Sequence, residues 1–251
     1  MIKKIARKIF PNFYTKLWKV KRSIVARKLK KEHPNTKIFH DNHIKLYSQH
    51  NQDYIVYNNF FKNKKGVFCD VGGNHPLNIN NTLYFEEIGW EGLAFEPLPS
   101  MKPLWEKHRK AKFFSFGVSD KEKEVAFSVV KDVTGWENML SFVKSTGKQN
   151  LDLETQDIII QVKPLKDIFE REGITHIDYM SIDIEGHELN ALKGIDFNKV
   201  RINVLTIEVS TFANSIQEIE EIRQLMREND YILWGIIVGL DDIYVHKNFL
   251  N

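Results

Sequence analysis

A single cysteine, Cys69, stands among 251 residues. One thiol excludes an internal disulfide framework and a multi-cysteine zinc site, and it fits a reducing compartment. No stretch reaches the roughly 18 consecutive apolar residues that span a bilayer. The first 31 residues lack a continuous apolar segment and a small-residue cleavage site, which argues against a secretory signal. No repeat of about 20–50 residues is present. The most telling shortage is of acid: residues 1–31 contain twelve Lys or Arg and no Asp or Glu.

That shortage splits the chain. Residues 32–251 hold the other 24 basic residues against all 33 acidic ones, so the net charge of +3 joins a +12 arm to a −9 body. A uniformly basic nucleic-acid binder is thereby disfavoured. The body, at 42% apolar and 27% charged for the whole chain, is ordinary globular composition and long enough to bury a core. The expected organisation is a basic amphipathic helical extension over 1–35, a helical lead-in over 36–65 and one domain over 66–251.

In the arm, Ile2, Ile5, Ala6, Ile9 and Phe10 follow the spacing of one helical face. Pro11 is expected to interrupt this run. A second series follows, Phe13, Leu17, Val20 and Ile24, with Tyr14 and Trp18 nearby and lysines and arginines around it. Such a helix suits an anionic membrane surface, which would place the protein in the cytoplasm, peripheral to the inner face of the membrane. The competing readings are packing of the stripe on the protein's own body and a grip on nucleic acid or a partner.

Beyond residue 65, apolar runs alternate with helical stretches. Strands are expected at Val67–Val71, Gly92–Phe95, Lys112–Val118, Ile177–Ile184, Val204–Val209 and Tyr231–Ile237, with Ile243–Val245 as an edge strand. Helices are expected at Asp53–Phe61, Asn80–Ile88, Pro99–Lys110, Glu188–Lys193 and Ile216–Asn229. This alternation specifies an α/β sheet with helices on both faces. Glu124–Val130 and Ile158–Val162 read as strands flanking a loop with Thr134, Gly135, Ser141, Ser145, Thr146 and Gly147. A loop of that length is a candidate substrate cover, with an exposed hairpin as the alternative.

Two strand ends carry the chemistry. Val67-Phe68-Cys69-Asp70-Val71-Gly72-Gly73-Asn74 is a strand running into a small-residue turn. In open α/β sheets ligands bind outside the carboxyl ends of strands. Gly72 and Gly73 let a backbone approach a ligand, and Asp70 suits a cationic amine. Glu96, 24 residues beyond Gly72, suits the two hydroxyls of a ribose. The third glycine of the dinucleotide fingerprint is missing, so a pyrophosphate is not the expected ligand; S-adenosyl-L-methionine has a ribose and no pyrophosphate. The second end, Ile182-Asp183-Ile184-Glu185-Gly186-His187-Glu188, places four ionisable groups in six positions, and Glu208 ends a further strand. Ordinary capping of a strand-to-helix turn is the alternative reading of these acids.

Taken with Ser48–Asp53, Asn81–Gly92, Phe95-Glu96-Pro97, Gly117–Asp120 and Glu208-Val209-Ser210, these segments resemble the FkbM family of S-adenosylmethionine-dependent methyltransferases over about residues 48–240. The resemblance implies a Rossmann-like class I methyltransferase sheet, seven-stranded with its last strand antiparallel. It implies cofactor contacts at Asp70, Gly72, Gly73 and Asn74, ribose binding at Glu96, and Ser119 and Asp120 near the adenine. Gly73 stands where the family often has alanine, and His75-Pro76-Leu77 replaces a more glycine-rich turn.

The expected activity is O-methylation of a sugar, glycan or glycolipid-precursor hydroxyl. Asp183 is the first candidate base and His187 the second, with Glu185, Glu188 and Glu208 orienting the acceptor. The same carboxylates suit a divalent metal, which is not the favoured reading. N-methylation of a small molecule and a catalytically inactive, membrane-tethered scaffold stay open. Nucleic acid is not an expected partner, because the acidic body repels phosphate.

Overall fold

The computed structural model describes residues 11–40, 46–131, 137–146, 154–210 and 213–250. The expected stripe over 2–10 and the loop residues Thr134, Gly135 and Gly147 lie outside them. Helix α1 (Pro11–Glu32), with side chains described from Arg22 onward, is followed by strand β1 (Lys37–Phe39). Then come α2 (Gln52–Val56), which widens into a π-helical turn over Tyr57–Phe61, β2 (Val67–Val71), α3 (Leu83–Glu87), β3 (Glu91–Phe95), α4 (Lys102–His108), β4 (Lys112–Phe114) and β5 (Gly117–Val118). The middle holds β6 (Lys123–Val130), β7 (Phe142–Val143) and β8 (Thr155–Lys163). The rest is α5 (Leu165–Glu172), β9 (His176–Ile182), α6 (Glu188–Lys193), β10 (Arg201–Glu208), α7 (Ile216–Glu228), β11 (Tyr231–Ile237) and β12 (Asp241–His246). Among the described residues, no helix is long and apolar enough to cross a membrane.

The result is a mixed α/β structure with two sheets. The larger has eight strands in the order β1-β11-β12-β10-β9-β2-β3-β4. All its neighbours pair in parallel except β12, which is antiparallel to both β10 and β11. The carboxyl ends of the parallel strands therefore share one edge, and the start of β12 joins them: Asp241 pairs with Glu208 and with Ile237. The smaller sheet has the order β5-β8-β6-β7.

The central strands of the large sheet, β2, β9, β10 and β12, are buried on both faces, which is why β2, β9 and β10 read as nearly continuous apolar runs. Along β9, Met180 and Ile182 enter one core cluster with Phe95 and Leu205, while Tyr179 enters the opposite one with Phe68, Phe85 and Trp90. Each such side chain contributes about 1.5–3 kcal/mol of burial free energy. Phe95 and Phe114 stack with centroids 4.8 Å apart. Helix α7 begins in a capping box, Ser215 with Glu218.

Three expectations change. The single strand expected over Lys112–Val118 is two, one in each sheet; the break at Ser115–Phe116 lets Phe116 pack beside both Phe95 and Phe114. Ile243–Val245 is not an edge strand: β12 lies between β10 and β11, where its fully buried Ile243 and Val245 gain cover on both sides. The edge is β1, concealed in the polar lead-in. Helix α3 starts later than Asn80, because the Asn80 side chain accepts from the Thr82 and Leu83 N–H groups and fixes the helix start there. Helix α5 and β1 were not expected at all.

Candidate functional site

A cleft opens at the carboxyl edge of the large sheet. Val71, Gly72 and Asn74 line it from β2 and its turn, Glu96, Pro97 and Leu98 from the end of β3, and Asp183, Glu185 and His187 from the end of β9. The far wall comes from the smaller sheet through Phe127, Val143, Ile160 and Val162, with Asn138, Met139 and Ser141 beside them. The segment expected to cover the substrate thus supplies an apolar wall.

Gly72 has φ +87°, and a Cβ there would lie 1.9 Å from the Asp183 carbonyl oxygen. Only glycine fits where the two strand ends run this close. The Asp183 N–H donates to Val71 O at 3.0 Å, and the Gly72 N–H to Phe95 O at 2.9 Å. A Cβ on Gly73 would meet the Trp105 ring at 2.6 Å. Trp105 is fully buried and its Nε1–H donates to Asn74 O at 2.7 Å. Glycine in place of the family's frequent alanine leaves room for that indole.

Asn74, at φ +33°, presents a buried Oδ1 with no hydrogen-bond partner among the described residues. Its N–H donates to Glu96 Oε2 at 2.9 Å, and the Leu98 N–H donates to Glu96 Oε1 at 2.8 Å. Glu96 therefore clamps the two loops that line one side of the cleft. Burial pushes its carboxyl up to about 7 against these two hydrogen bonds.

Asp70 does not line the cleft. Its Oδ2 accepts from Thr82 Oγ1 at 2.7 Å and Asn80 Nδ2 at 3.2 Å, and burial raises its pKa. Arg109 stands behind this network. Its guanidinium donates to Pro76 O, Asn80 Oδ1 and Thr82 Oγ1, pairs with Glu86 at 3.1 Å and stacks on Trp105. It pins the His75-Pro76-Leu77 turn and sets the shape of the cleft. Sequence reading did not find it, because nothing local marks an arginine for burial.

His187 is buried, not a surface residue. Asn190 Nδ2 lies 3.1 Å from His187 Nδ1, and Ser119 Oγ lies 3.0 Å from Nε2. An amide nitrogen only donates, so Nδ1 accepts, Nε2 carries the proton and donates to Ser119, and Ser119 donates to Asp120 Oδ1 at 3.0 Å. Desolvation, followed by the nearby Lys123 charge, lowers the His187 pKa to about 4. Both ring nitrogens of this neutral imidazole are occupied. Ser119 and Asp120 are thus joined to His187, outside the cleft lining.

Glu188 is fully buried, and its Oε1 accepts from the Ile184 and Gly186 N–H groups at 3.0 Å each. Glu188 thus closes the β9–α6 turn through amides that precede the helix, and the helix start itself carries no side-chain cap. Asp183, Glu185 and Glu208 do come together: each offers a carboxylate oxygen within 4.8 Å of the others. Three hard oxygen donors at that spacing suit either a polyhydroxylated acceptor or a divalent cation. Asp241 adds a fourth acid at this edge, held by Gln52 Nε2 at 2.7 Å, with burial pushing its pKa to about 7. Gln52 ties the lead-in to the site, a link invisible in sequence because the two residues are 189 positions apart.

An α/β sheet with a glycine turn and acids at one carboxyl edge is a ligand-binding arrangement of the open α/β class. The sequence profile of the methyltransferase FkbM domain matches residues 70–233, well over half of the chain. The chain belongs to this family. None of the curated proteins compared with it matches.

Proposed function

We propose that the protein is an S-adenosylmethionine-dependent O-methyltransferase acting on a sugar hydroxyl of a glycan or glycolipid precursor. The strand order, with β12 antiparallel, supports the Rossmann-like class I reading of the fold. The observation that carries the proposal is the juxtaposition of Asn74, Glu96 and Asp183 in one cleft.

The residues present fit the cofactor. The unpartnered Asn74 Oδ1 needs a donor, and an ammonium or hydroxyl supplies one. Each Glu96 oxygen takes one backbone N–H, leaving capacity for ribose hydroxyls. When bound, S-adenosylmethionine supplies an electrophilic methyl group on a sulfonium. Asp183 takes the proton of the acceptor hydroxyl, while Glu185 and Glu208 accept hydrogen bonds from neighbouring hydroxyls. His187, through Ser119, fixes the β9–α6 turn against the end of β5 and is a positioning residue. The apolar wall of Phe127, Val143, Ile160 and Val162 excludes water from the reacting groups.

Calorimetry with S-adenosylhomocysteine, followed by labelled methyl transfer onto sugar nucleotides and lipid-linked sugars, tests this. Saturable binding and transfer to a hydroxyl are expected; absence of cofactor binding overturns the assignment.

A further inference from the structure

Helix α1 runs antiparallel to β1. Near its middle, Arg22 Nη2 donates to Val238 O at 2.9 Å, just beyond the carboxyl end of β11. Near its end, Lys30 donates to Thr36 O, and Thr36 Oγ1 donates to Leu233 O, deeper along the same strand. The helix therefore climbs past the carboxyl edge as it is followed toward its amino terminus. The eleven residues from Pro11 to Lys21 carry it roughly 16 Å beyond the Arg22 contact. That is the edge on which the cleft opens.

Over its described side chains, from Arg22 onward, α1 meets the body with one side. Ala26 is 8% exposed, whereas Ile24 is 59% and Val25 43% exposed. By helical period, Ile24 and Ala26 lie on opposite sides of α1. Ile24, whose side chain is described, faces out. Lys28 and Lys31 are exposed alongside it.

We infer that the outward face of α1 docks on an anionic lipid bilayer and holds the carboxyl-edge cleft toward acceptors carried at that surface. Exposed Ile24 and Val25 beside exposed Lys28 and Lys31 match an acyl–headgroup boundary. RNA is the poorer occupant: a polyphosphate gains nothing from Ile24 and Val25, and the edge beside the helix carries Asp183, Glu185, Glu208 and Asp241. Docking itself is independent of the methyl-transfer reading; only the identity of the presented acceptor rests on it.

The test is co-sedimentation of the full chain with phosphatidylcholine vesicles, with and without phosphatidylserine. Binding is expected to the anionic vesicles and to fall with added salt. Ile24→Glu should lower the partition coefficient about tenfold, and Lys28→Gln and Lys31→Gln about fivefold each. All three positions are exposed, and an unchanged thermal melt confirms that the fold survives. Equal binding to neutral vesicles, binding unaffected by Ile24→Glu, or binding to RNA in place of vesicles overturns the inference. Cofactor binding without vesicle binding removes the docking alone; vesicle binding without cofactor binding removes the methyl-transfer assignment alone.

Discussion

A Cβ on Gly72 would lie 1.9 Å from the carbonyl oxygen of Asp183. The glycine turn and the candidate base are thus two sides of one contact between β2 and β9. Gly72→Ala would force both a positive φ on alanine and a backbone displacement. It should destabilise the protein by about 2–4 kcal/mol and abolish S-adenosylhomocysteine binding. Denaturant melts and calorimetry on the same preparation measure the two effects.

Asp183→Asn keeps the shape of the cleft and removes the proton acceptor. Turnover should fall about 10²–10⁴-fold with little change in cofactor affinity. Dialysis against a chelator should leave the wild-type rate unchanged. A rate lost to chelation and restored by Mg²⁺ would move Asp183, Glu185 and Glu208 from acceptor recognition to a metal cage.

Glu96 titrates near 7 in the folded protein because it is buried. Hydroxyl donors favour the carboxylate, so cofactor affinity should rise as pH passes upward through about 7. Glu96→Gln should bind more weakly at high pH and lose this dependence. Without ligand the sign is opposite for stability. The folded pKa is raised, so the contribution of Glu96 is fully present below the unfolded value and is lost as pH rises through about 7.

His187 bends stability from the acid side. Its folded pKa is depressed to about 4, so its contribution is present above the ordinary histidine range and is lost as pH falls from there through about 4. The loss should be on the order of 3 kcal/mol. His187→Gln should flatten thermal melts across that window. If His187 positions and does not accept the proton, the pH profile of kcat should keep its shape in this variant.

Arg109→Lys should weaken cofactor binding although residue 109 does not line the cleft. Lysine cannot span Pro76 O, Asn80 Oδ1 and Thr82 Oγ1 with one planar fork. A loss of about tenfold, read by calorimetry, is expected, with kcat at saturating cofactor largely retained.

Much of this was legible in the chain itself. Strands β2, β9 and β10 announce themselves because burial on both faces requires nearly unbroken apolar runs. Gly72, Glu96 and Asp183 follow from small residues and acids at strand ends, and Asn74 from the family resemblance. Other features were not legible. Strand β1 is three residues long, too short for a period to show. The Asp70–Thr82–Arg109 network and the Gln52–Asp241 bond join residues distant in sequence, and no local pattern records them.

Sequence alone determined the two-part charge, the alternation of strand and helix and the acids at the crevice, because these depend on composition and local period. Only the tertiary structure decided which acids share the cleft. It turned Asp70 and Glu188 away from the cleft, bound both ring nitrogens of His187 to neighbours, and brought Asp183, Glu185 and Glu208 together. The physical reason is desolvation: a buried polar group must find a partner, and chain folding alone determines which partners are within reach.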